Sequence, residues 1–450
     1  MLRVDQAAII GGGFSGTLAA INLLRHGTAR VILIERDARR LARGLAYGAA
    51  QDEHILNVRA RNMSAFPDQP DHFAQWLERC GKGSPDAFAT RRDYGAYLAG
   101  LLEDARRATA GRLDILTDAA VDVDPAGAQA LVTLASGSRI AVDAAILAPG
   151  NLPPHDLPAF AGQDAPDYVR DPWSCDIAAG LDAADTVLLI GTGLTAMDCA
   201  LTLDTAGFRG RILAISRRGL APHSHALAAP FTPLRERPRE TGAALIRAVR
   251  ARAGAVGWRN AVDELRPFTQ DLWRAADVTG RAAFLRHLRP FWDVHRHRLA
   301  PAVAARLDEM RSRGALTVSA GKIMTATACA DGLEVGWRPR GEQGTRRLSA
   351  RRVINCTGPL GDLARAGDAL LRRLATRGVI RPDPLAIGID VDWLSRAVAR
   401  DGRSNERLFV LGPMTRGAHW EIVAVPDIRK QVWSTARYLT HSHWVEADGL

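Results

Sequence analysis

The chain has 450 residues, 47% of them hydrophobic and 24% charged, which is enough to bury cores in two or three domains and too apolar for a disordered protein. Its formal net charge is +10, but the excess is scattered arginine, often beside Asp or Glu, with no Lys/Arg block and no alternating basic–aromatic surface, so nucleic acid is not an expected partner. The five cysteines, Cys80, Cys175, Cys199, Cys329 and Cys356, form no CxxC pair. That argues against a disulfide reductase, whose chemistry needs two neighbouring thiols, and fits a reducing compartment.

The first strand begins within ten residues of Met1, leaving no space for a signal peptide, and the longest apolar stretch, 186–203, is broken by Gly191, Gly193 and Asp198. A cytoplasmic protein without a membrane partner is therefore expected. Ala7–Ile10 reads as a buried strand running into Gly11-Gly12-Gly13-Phe14-Ser15-Gly16, a helix follows over 17–25, and Val31–Ile34 forms a second strand ending on Glu35 and Arg36. Strand, glycine turn, helix, strand and acid occur in the order that a dinucleotide site requires. Gly11 permits the tight turn, Gly13 lets a pyrophosphate approach the backbone, and Gly16 lets helix and strand pack closely. The helix start offers free N–H groups to phosphate, and Glu35 accepts hydrogen bonds from a ribose.

Residues 57–67, Asn57 to Pro67, are long for a connection and read as a binding loop. Helices are predicted over 71–80 and 93–109. Alternating runs at 114–116, 120–123, 131–134 and 140–142 predict a small antiparallel sheet inserted in the first domain. The strand at 144–148 ends in Pro149-Gly150, which returns the chain to the cofactor, and a Pro-rich stretch at 152–158 marks a domain boundary.

A second unit repeats the first. Thr186–Ile190 is a strand, Gly191-Thr192-Gly193-Leu194-Thr195-Ala196 is a GxGxxA turn opening a helix to 205, and a strand at 211–215 ends on Ser216-Arg217-Arg218. Where an NAD site carries a ribose-binding acid, this one has a hydroxyl and two guanidiniums, which favour the 2′-phosphate of NADPH. From 235 to 313 the pattern is helical, broken by Pro267, Pro290 and Pro301. His295 and His297 are two residues apart and fall on different helix faces, so no metal site is expected. Strands resume at 316–319, 324–328 and 333–337, and 352–359 repeats the strand-to-glycine pattern of 146–150. A last strand, Leu408–Leu411, ends at Gly412-Pro413-Met414 before the run Arg416 to Glu421, and the final helix starts near Ala424 with Pro426 in its first turn.

The segments IIGGGFSGTLAA, RGLAYG, LNVRARNMSAFPD, LIGTGLTAMD, SRRG, INCTGP and GPMTRGAHWEIVAVPDIR together resemble a bacterial FAD/NAD(P)-binding family related to flavin-dependent monooxygenases, some of which hydroxylate urate. The resemblance implies an α/β fold with two Rossmann-like dinucleotide-binding domains and a helical insertion. Residues 1–152 would be the N-terminal part of an FAD domain, 153–234 an NADPH domain, 235–315 a helical segment capping the substrate, and 316–450 the return to the FAD domain. It further implies that Gly11, Gly13, Ser15, Gly16 and Glu35 hold the ADP half of FAD, with Phe14 and Arg36 also cofactor-binding, and that Asn57 and Met63 lie in the loop nearest the flavin. Gly412, Pro413, Pro426 and Ile428 would lie near its ribityl chain and ring, Gly150 is a further cofactor contact, and Gly191, Gly193, Leu194, Thr195, Ser216, Arg217 and Arg218 hold NADPH. The implied reaction is insertion of one oxygen atom from O2 into a small substrate, a urate-like heterocycle, amine or thiol, through a flavin C4a-hydroperoxide. His419 serves proton transfer in that reading and Glu421 orients it or binds substrate. Its rivals are an NAD(P)H oxidoreductase feeding a quinone or protein acceptor, and a non-catalytic flavin-bound redox sensor.

Overall fold

The structure, a computed structural model, describes residues 3–49, 51–162, 165–226 and 231–442. The chain divides into two units: one comprises Met1–Ala50, Val58–Leu152 and Leu360–Leu450, the other Gln51–Asn57 and Pro153–Pro359.

The first unit opens with strand β1 (Gln6–Ile10), helix α1 (Phe14–His26) and strand β2 (Arg30–Ile34). Short helix α2 (Gly44–Gly48) and the helices α3 (His72–Arg79) and α4 (Arg91–Ala108) follow. Helix α4 starts where Thr90 accepts from the Asp93 N–H, a side-chain cap satisfying one of the four otherwise unpaired donors of a helix start. Then come β3 (Leu113–Leu116), β4 (Ala120–Asp124), β5 (Ala130–Leu134), β6 (Arg139–Val142) and β7 (Ala144–Leu147). Sequence pattern grouped 114–116 with the antiparallel strands, but β3 lies parallel beside β2, Val31 opposite Leu113, and the small antiparallel sheet is β4-β5-β6 alone. A four-residue run carries too little periodicity to distinguish a parallel edge strand from a hairpin strand.

The second unit repeats the plan with β8 (Tyr168–Val169), β9 (Thr186–Ile190), α5 (Leu194–Thr205) and β10 (Arg211–Ser216). The helical stretch is α6 (Gly242–Val256), α7 (Trp258–Asp263), α8 (Thr269–Ala275), α9 (Val278–His287), α10 (Arg289–Arg296) and α11 (Pro301–Ser312). Pro290 and Pro301 stand in the first turns of α10 and α11, where a missing N–H costs no hydrogen bond. Strands β11 (Leu316–Cys329), β12 (Gly332–Pro339), β13 (Arg346–Ala350) and β14 (Arg352–Asn355) complete a sheet ordered β13-β12-β11-β10-β9-β14-β8. The return expected at 316 comes later. Strands β11 to β14 belong to the second unit, and the first unit resumes at Leu360, because β14 fills the slot beside β9 that closes the second parallel sheet.

The returning segment carries α12 (Ala369–Arg377), β15 (Arg396–Val398), β16 (Ser404–Val410) and α13 (Val425–Leu439). Its strands extend the first sheet to the order β15-β16-β7-β1-β2-β3. Strands β1, β2 and β7 are apolar on both faces and almost wholly buried, as parallel strands covered on both sides must be. Helices α1 and α13 pack together, and Ala145, Leu147, Leu408, Val410 and Met414 share one core with Leu371 and Leu374 of α12. The second unit has its own core, including Leu188, Ile190, Val335, Trp337 and Val353. Among the described residues no helix is long and apolar enough to cross a membrane.

Candidate functional site

Each unit places one glycine turn at the C-terminal edge of its parallel sheet, between a buried strand and a helix. In the first, Gly11 has φ +104°, and a Cβ there would meet the Ala148 carbonyl oxygen at 2.3 Å; a Cβ on Gly16 would meet the Gly11 oxygen at 1.8 Å. Only hydrogen side chains allow this closeness, so β1, α1 and the end of β7 converge on one point. Helix α1 starts at Gly13 without a side-chain cap, which leaves first-turn N–H groups directed at whatever anion the turn receives.

Glu35 stands at the end of β2. One carboxylate oxygen accepts from the Gly12 N–H at 2.8 Å and the other from the Asp37 N–H at 3.1 Å. The carboxylate thus braces the turn from the end of β2. Arg36 points to Asp368, 3.2 Å away, and its side chain is 65% exposed. The Phe14 ring packs against Tyr47 and Tyr94, each 6.1 Å between centroids, and among the described residues the buried Tyr94 hydroxyl finds no hydrogen-bond partner.

The returning segment reaches the same turn. Gly412 adopts φ +85°, ψ −156°, and a Cβ there would lie 2.4 Å from Ser15 Oγ. Its N–H donates to Gln431 Oε1 at 2.9 Å, while the Gln431 amide donates to Ser395 Oγ and Thr415 Oγ1 at 3.1 and 3.0 Å. Sequence reasoning singled out Gly412 but missed Gln431. The available signal was a glutamine on the buried face of α13, in register with Ile428 and Thr435. Pro413, Pro426 and Ile428 are all buried here, and α13 also begins without a side-chain cap. Arg429, one turn in, donates to the Ser64 carbonyl at 2.7 Å, and burial lowers its pKa.

His419 and Glu421 are both buried, in the turns joining Thr415 to α13. Glu421 holds a left-handed backbone, φ +64°, a conformation that costs a non-glycine residue free energy and concentrates at functional segments. Met63 is buried in the first unit, whereas Asn57 belongs to the second, its carbonyl accepting from His225 Nε2 at 2.9 Å. The same seven-residue excursion is tied down by His54, whose Nε2 lies 2.9 Å from Thr202 Oγ1 of α5. Gly150 takes φ +70° just after β7.

In the second unit Gly191 has φ +119°, and a Cβ on it would sit 2.4 Å from the Cys356 carbonyl oxygen. Around Gly193 a Cβ would meet nothing within 4 Å, so the backbone is open to a close ligand. Leu194 and Thr195 begin α5, again uncapped by any side chain. Thr192 Oγ1 shares a hydrogen bond of 2.8 Å with Ser216 Oγ and donates to the Leu220 carbonyl, and Ser216 Oγ accepts the Gly219 N–H at 3.0 Å. The Ser216 hydroxyl therefore fastens the loop after β10 to the glycine turn. Arg217 and Arg218 diverge: Arg217 lines an open cleft, while Arg218 lies over the Phe291 ring at 5.5 Å and donates to the Arg286 carbonyl at 3.4 Å. No group of three or more His, Cys, Asp or Glu side chains among the described residues is placed to hold a metal ion.

Residues 8–152 match the model of a family described as FAD-NAD(P)-binding. No curated protein matches the chain. Among solved structures it is similar to an ornithine N-hydroxylase from Kutzneria sp. 744, solved with reduced FAD, NADP+ and L-ornithine, at 16% identity and TM-score 0.67 over 98% of this chain and 99% of that one. L-lysine 6-monooxygenase from Pseudomonas syringae is similar at 16% identity and TM-score 0.66, covering 98% and 100%. The FAD-bound cadaverine monooxygenase DfoA from Erwinia amylovora is similar at 12% identity and TM-score 0.67, covering 98% and 95%. At these identities the likeness is one of fold. It agrees with the paired glycine turns: an α/β architecture with two Rossmann-like units, the second bearing a helical insertion.

Proposed function

We propose that the protein is an NADPH-dependent FAD monooxygenase that transfers one oxygen atom of O2 to a small organic substrate, with a primary amine the favoured class. The observation that carries this reading is the pair of glycine turns followed by different chemistry: Glu35 after β2 and Arg217 after β10. An acid suits the free ribose hydroxyls of FAD, and a cation suits a 2′-phosphate. The amine preference rests on the similar enzymes, which act on ornithine, lysine and cadaverine. With two reducing equivalents from NADPH the reaction balances as substrate, O2, NADPH and H+ giving oxygenated substrate, water and NADP+.

Bound FAD supplies hydride acceptance and oxygen activation. The chain's own residues do the rest. The turn at Gly11–Gly16 and the uncapped start of α1 hold the pyrophosphate, Glu35 the ribose, and Gln431 fixes the Gly412 peptide that follows β16. The uncapped start of α13 presents N–H groups suited to negative charge at a flavin edge. His419 is assigned proton transfer and Glu421 its orientation or substrate binding, both side chains being buried in the segment that leads into α13.

The test is anaerobic reduction by NADPH, then rapid mixing with O2 while flavin absorbance is recorded, with and without ornithine, lysine or cadaverine. A transient spectrum unlike oxidised or reduced flavin, whose decay an amine accelerates with formation of hydroxylated product, supports the reading. Direct reoxidation in every case, with fast reduction of an added quinone, replaces it by the electron-transfer alternative.

A further inference from the structure

Strand β10 ends at Ser216, paired with Ala320 of β11, and β11 runs on past the sheet edge as one arm of an antiparallel ribbon with β12, Gly321 opposite Pro339 and Lys322 opposite Arg338. The loop after β10 is pressed onto this ribbon, since a Cβ on Gly219 would meet the Ala320 nitrogen at 2.8 Å. Between loop and ribbon lies an open cleft of about 420 Å³ lined by Arg217, Lys322, Arg338 and Arg340. The acid in its wall, Glu342, is paired with Arg346 at 2.7 Å. Among the described residues none of the four cations makes an ion pair, whereas Arg306 and Arg313 of the same unit are both paired with Asp204. Four unpaired cations gathered from three separate segments repel one another, and the arrangement is relieved by a multivalent anion.

We infer that this cleft is the phosphomonoester subsite of the second dinucleotide, with Arg217, Lys322 and Arg340 holding the 2′-phosphate of NADPH and Arg218 taking no part. The inference rests on the reading of the second unit as the NADPH domain and adds residues that the glycine-turn pattern does not reveal. The cleft opens beside the end of β10, the position of the adenosine ribose in this kind of unit. Arg218 is excluded by geometry, because its guanidinium is stacked on Phe291 and bound to the Arg286 carbonyl. Its service is to hold the helical insertion against the loop. A pattern match would divide the phosphate between two adjacent arginines; the structure divides it between one of them and a strand pair more than a hundred residues later.

The experiment is calorimetric binding of 2′,5′-ADP, 5′-ADP and inorganic phosphate to the full-length FAD-loaded protein and to its R217A, K322A/R340A and R218A variants, with NADPH and NADH titrated in parallel. The expected result is that the intact protein binds 2′,5′-ADP about 100-fold tighter than 5′-ADP. K322A/R340A should lose about tenfold or more of that preference with 5′-ADP unchanged, as removing charge-assisted bonds from a dianion requires. R217A should do the same, and R218A should keep the preference whatever its effect on stability. Rising salt should weaken 2′,5′-ADP more than 5′-ADP. Retention of the full preference in K322A/R340A, or its loss in R218A, overturns the inference while leaving the NADPH reading intact. Binding of inorganic phosphate with the affinity of 2′,5′-ADP would make the cleft a free-anion site and also overturn it. Absence of binding by both nucleotides and both nicotinamide cofactors would instead remove the underlying reading of the second unit.

Discussion

Replacing Gly412 by Ala tests the claim that the returning segment is built to reach the first glycine turn. Gly412 sits at φ +85°, ψ −156°, a region essentially restricted to glycine, where a Cβ costs about 1–3 kcal/mol. The new methyl would also stand 2.4 Å from Ser15 Oγ and 3.2 Å from Ser15 Cβ, and such overpacking adds about 1–3 kcal/mol. The total, about 2–6 kcal/mol, is a large part of a typical domain's stability. The assay is urea unfolding of the apoprotein together with FAD retention on gel filtration. Because the two contributions have different sources they separate: Ser15→Ala removes the 2.4 Å contact and leaves only the milder one. The double variant should therefore recover the steric share and none of the dihedral share, seen as a coupling energy in a double-mutant cycle. A G412A protein with the wild-type midpoint and full FAD content would refute the geometry, and a double variant no more stable than G412A would refute the assignment of the clash to Ser15.

Gly191→Ala should act on the second unit in the same way but without rescue, since its Cβ would strike the Cys356 backbone oxygen at 2.4 Å; NADPH binding should be lost while FAD is retained, as measured by flavin absorbance and NADPH titration. Gln431→Leu leaves the Gly412 N–H and the Ser395 hydroxyl without their buried partner and should cost about 2–4 kcal/mol in urea unfolding. Arg298 is 5% exposed and bonds Asp263, the His295 carbonyl and the Arg259 carbonyl, so Arg298→Leu should destabilise by about 1–3 kcal/mol, read as a lower midpoint in thermal unfolding. Burial holds His26 and His72 below the ordinary value of 6.5. The unfolded chain then takes up protons first as pH falls, so stability is complete above about 6.5 and is lost as the pH drops toward the folded values. Thermal unfolding between pH 7.5 and 5 should show this slope, and His26→Gln with His72→Asn should flatten it.

Both dinucleotide turns were legible because their chemistry is local. A strand, a glycine at a fixed offset and a helix occupy about twenty consecutive residues, and the steric reasons for Gly11, Gly16 and Gly191 lie in neighbouring backbone. The place of Glu35 against the first turn was legible for the same cause, one strand further on. The strand closing the second sheet was not: β14 and β16 both read as apolar runs ending in glycine, and periodicity cannot say which sheet such a strand joins. Pairing decides it, and β14 pairs with β9 while β16 pairs with β7.

The fate of Ser216, Arg217 and Arg218 shows the limit most clearly. As consecutive residues after a strand they look equivalent, three polar groups at the place where a phosphate is expected. In the fold the hydroxyl secures Thr192 and Gly219, one arginine faces an open cleft, and the other is held by Phe291 and Arg286. Their separation follows from alternation along the chain and from what packs on each side, a ribbon on one and a helical insertion on the other. Neither neighbour is close in sequence. Lys322, Arg338 and Arg340 are part of the same charge cluster through strand register alone, Ser216 opposite Ala320 and Lys322 opposite Arg338. A cofactor preference encoded in this way is distributed over three segments, so reversing it requires changes in the ribbon as well as in the loop after β10.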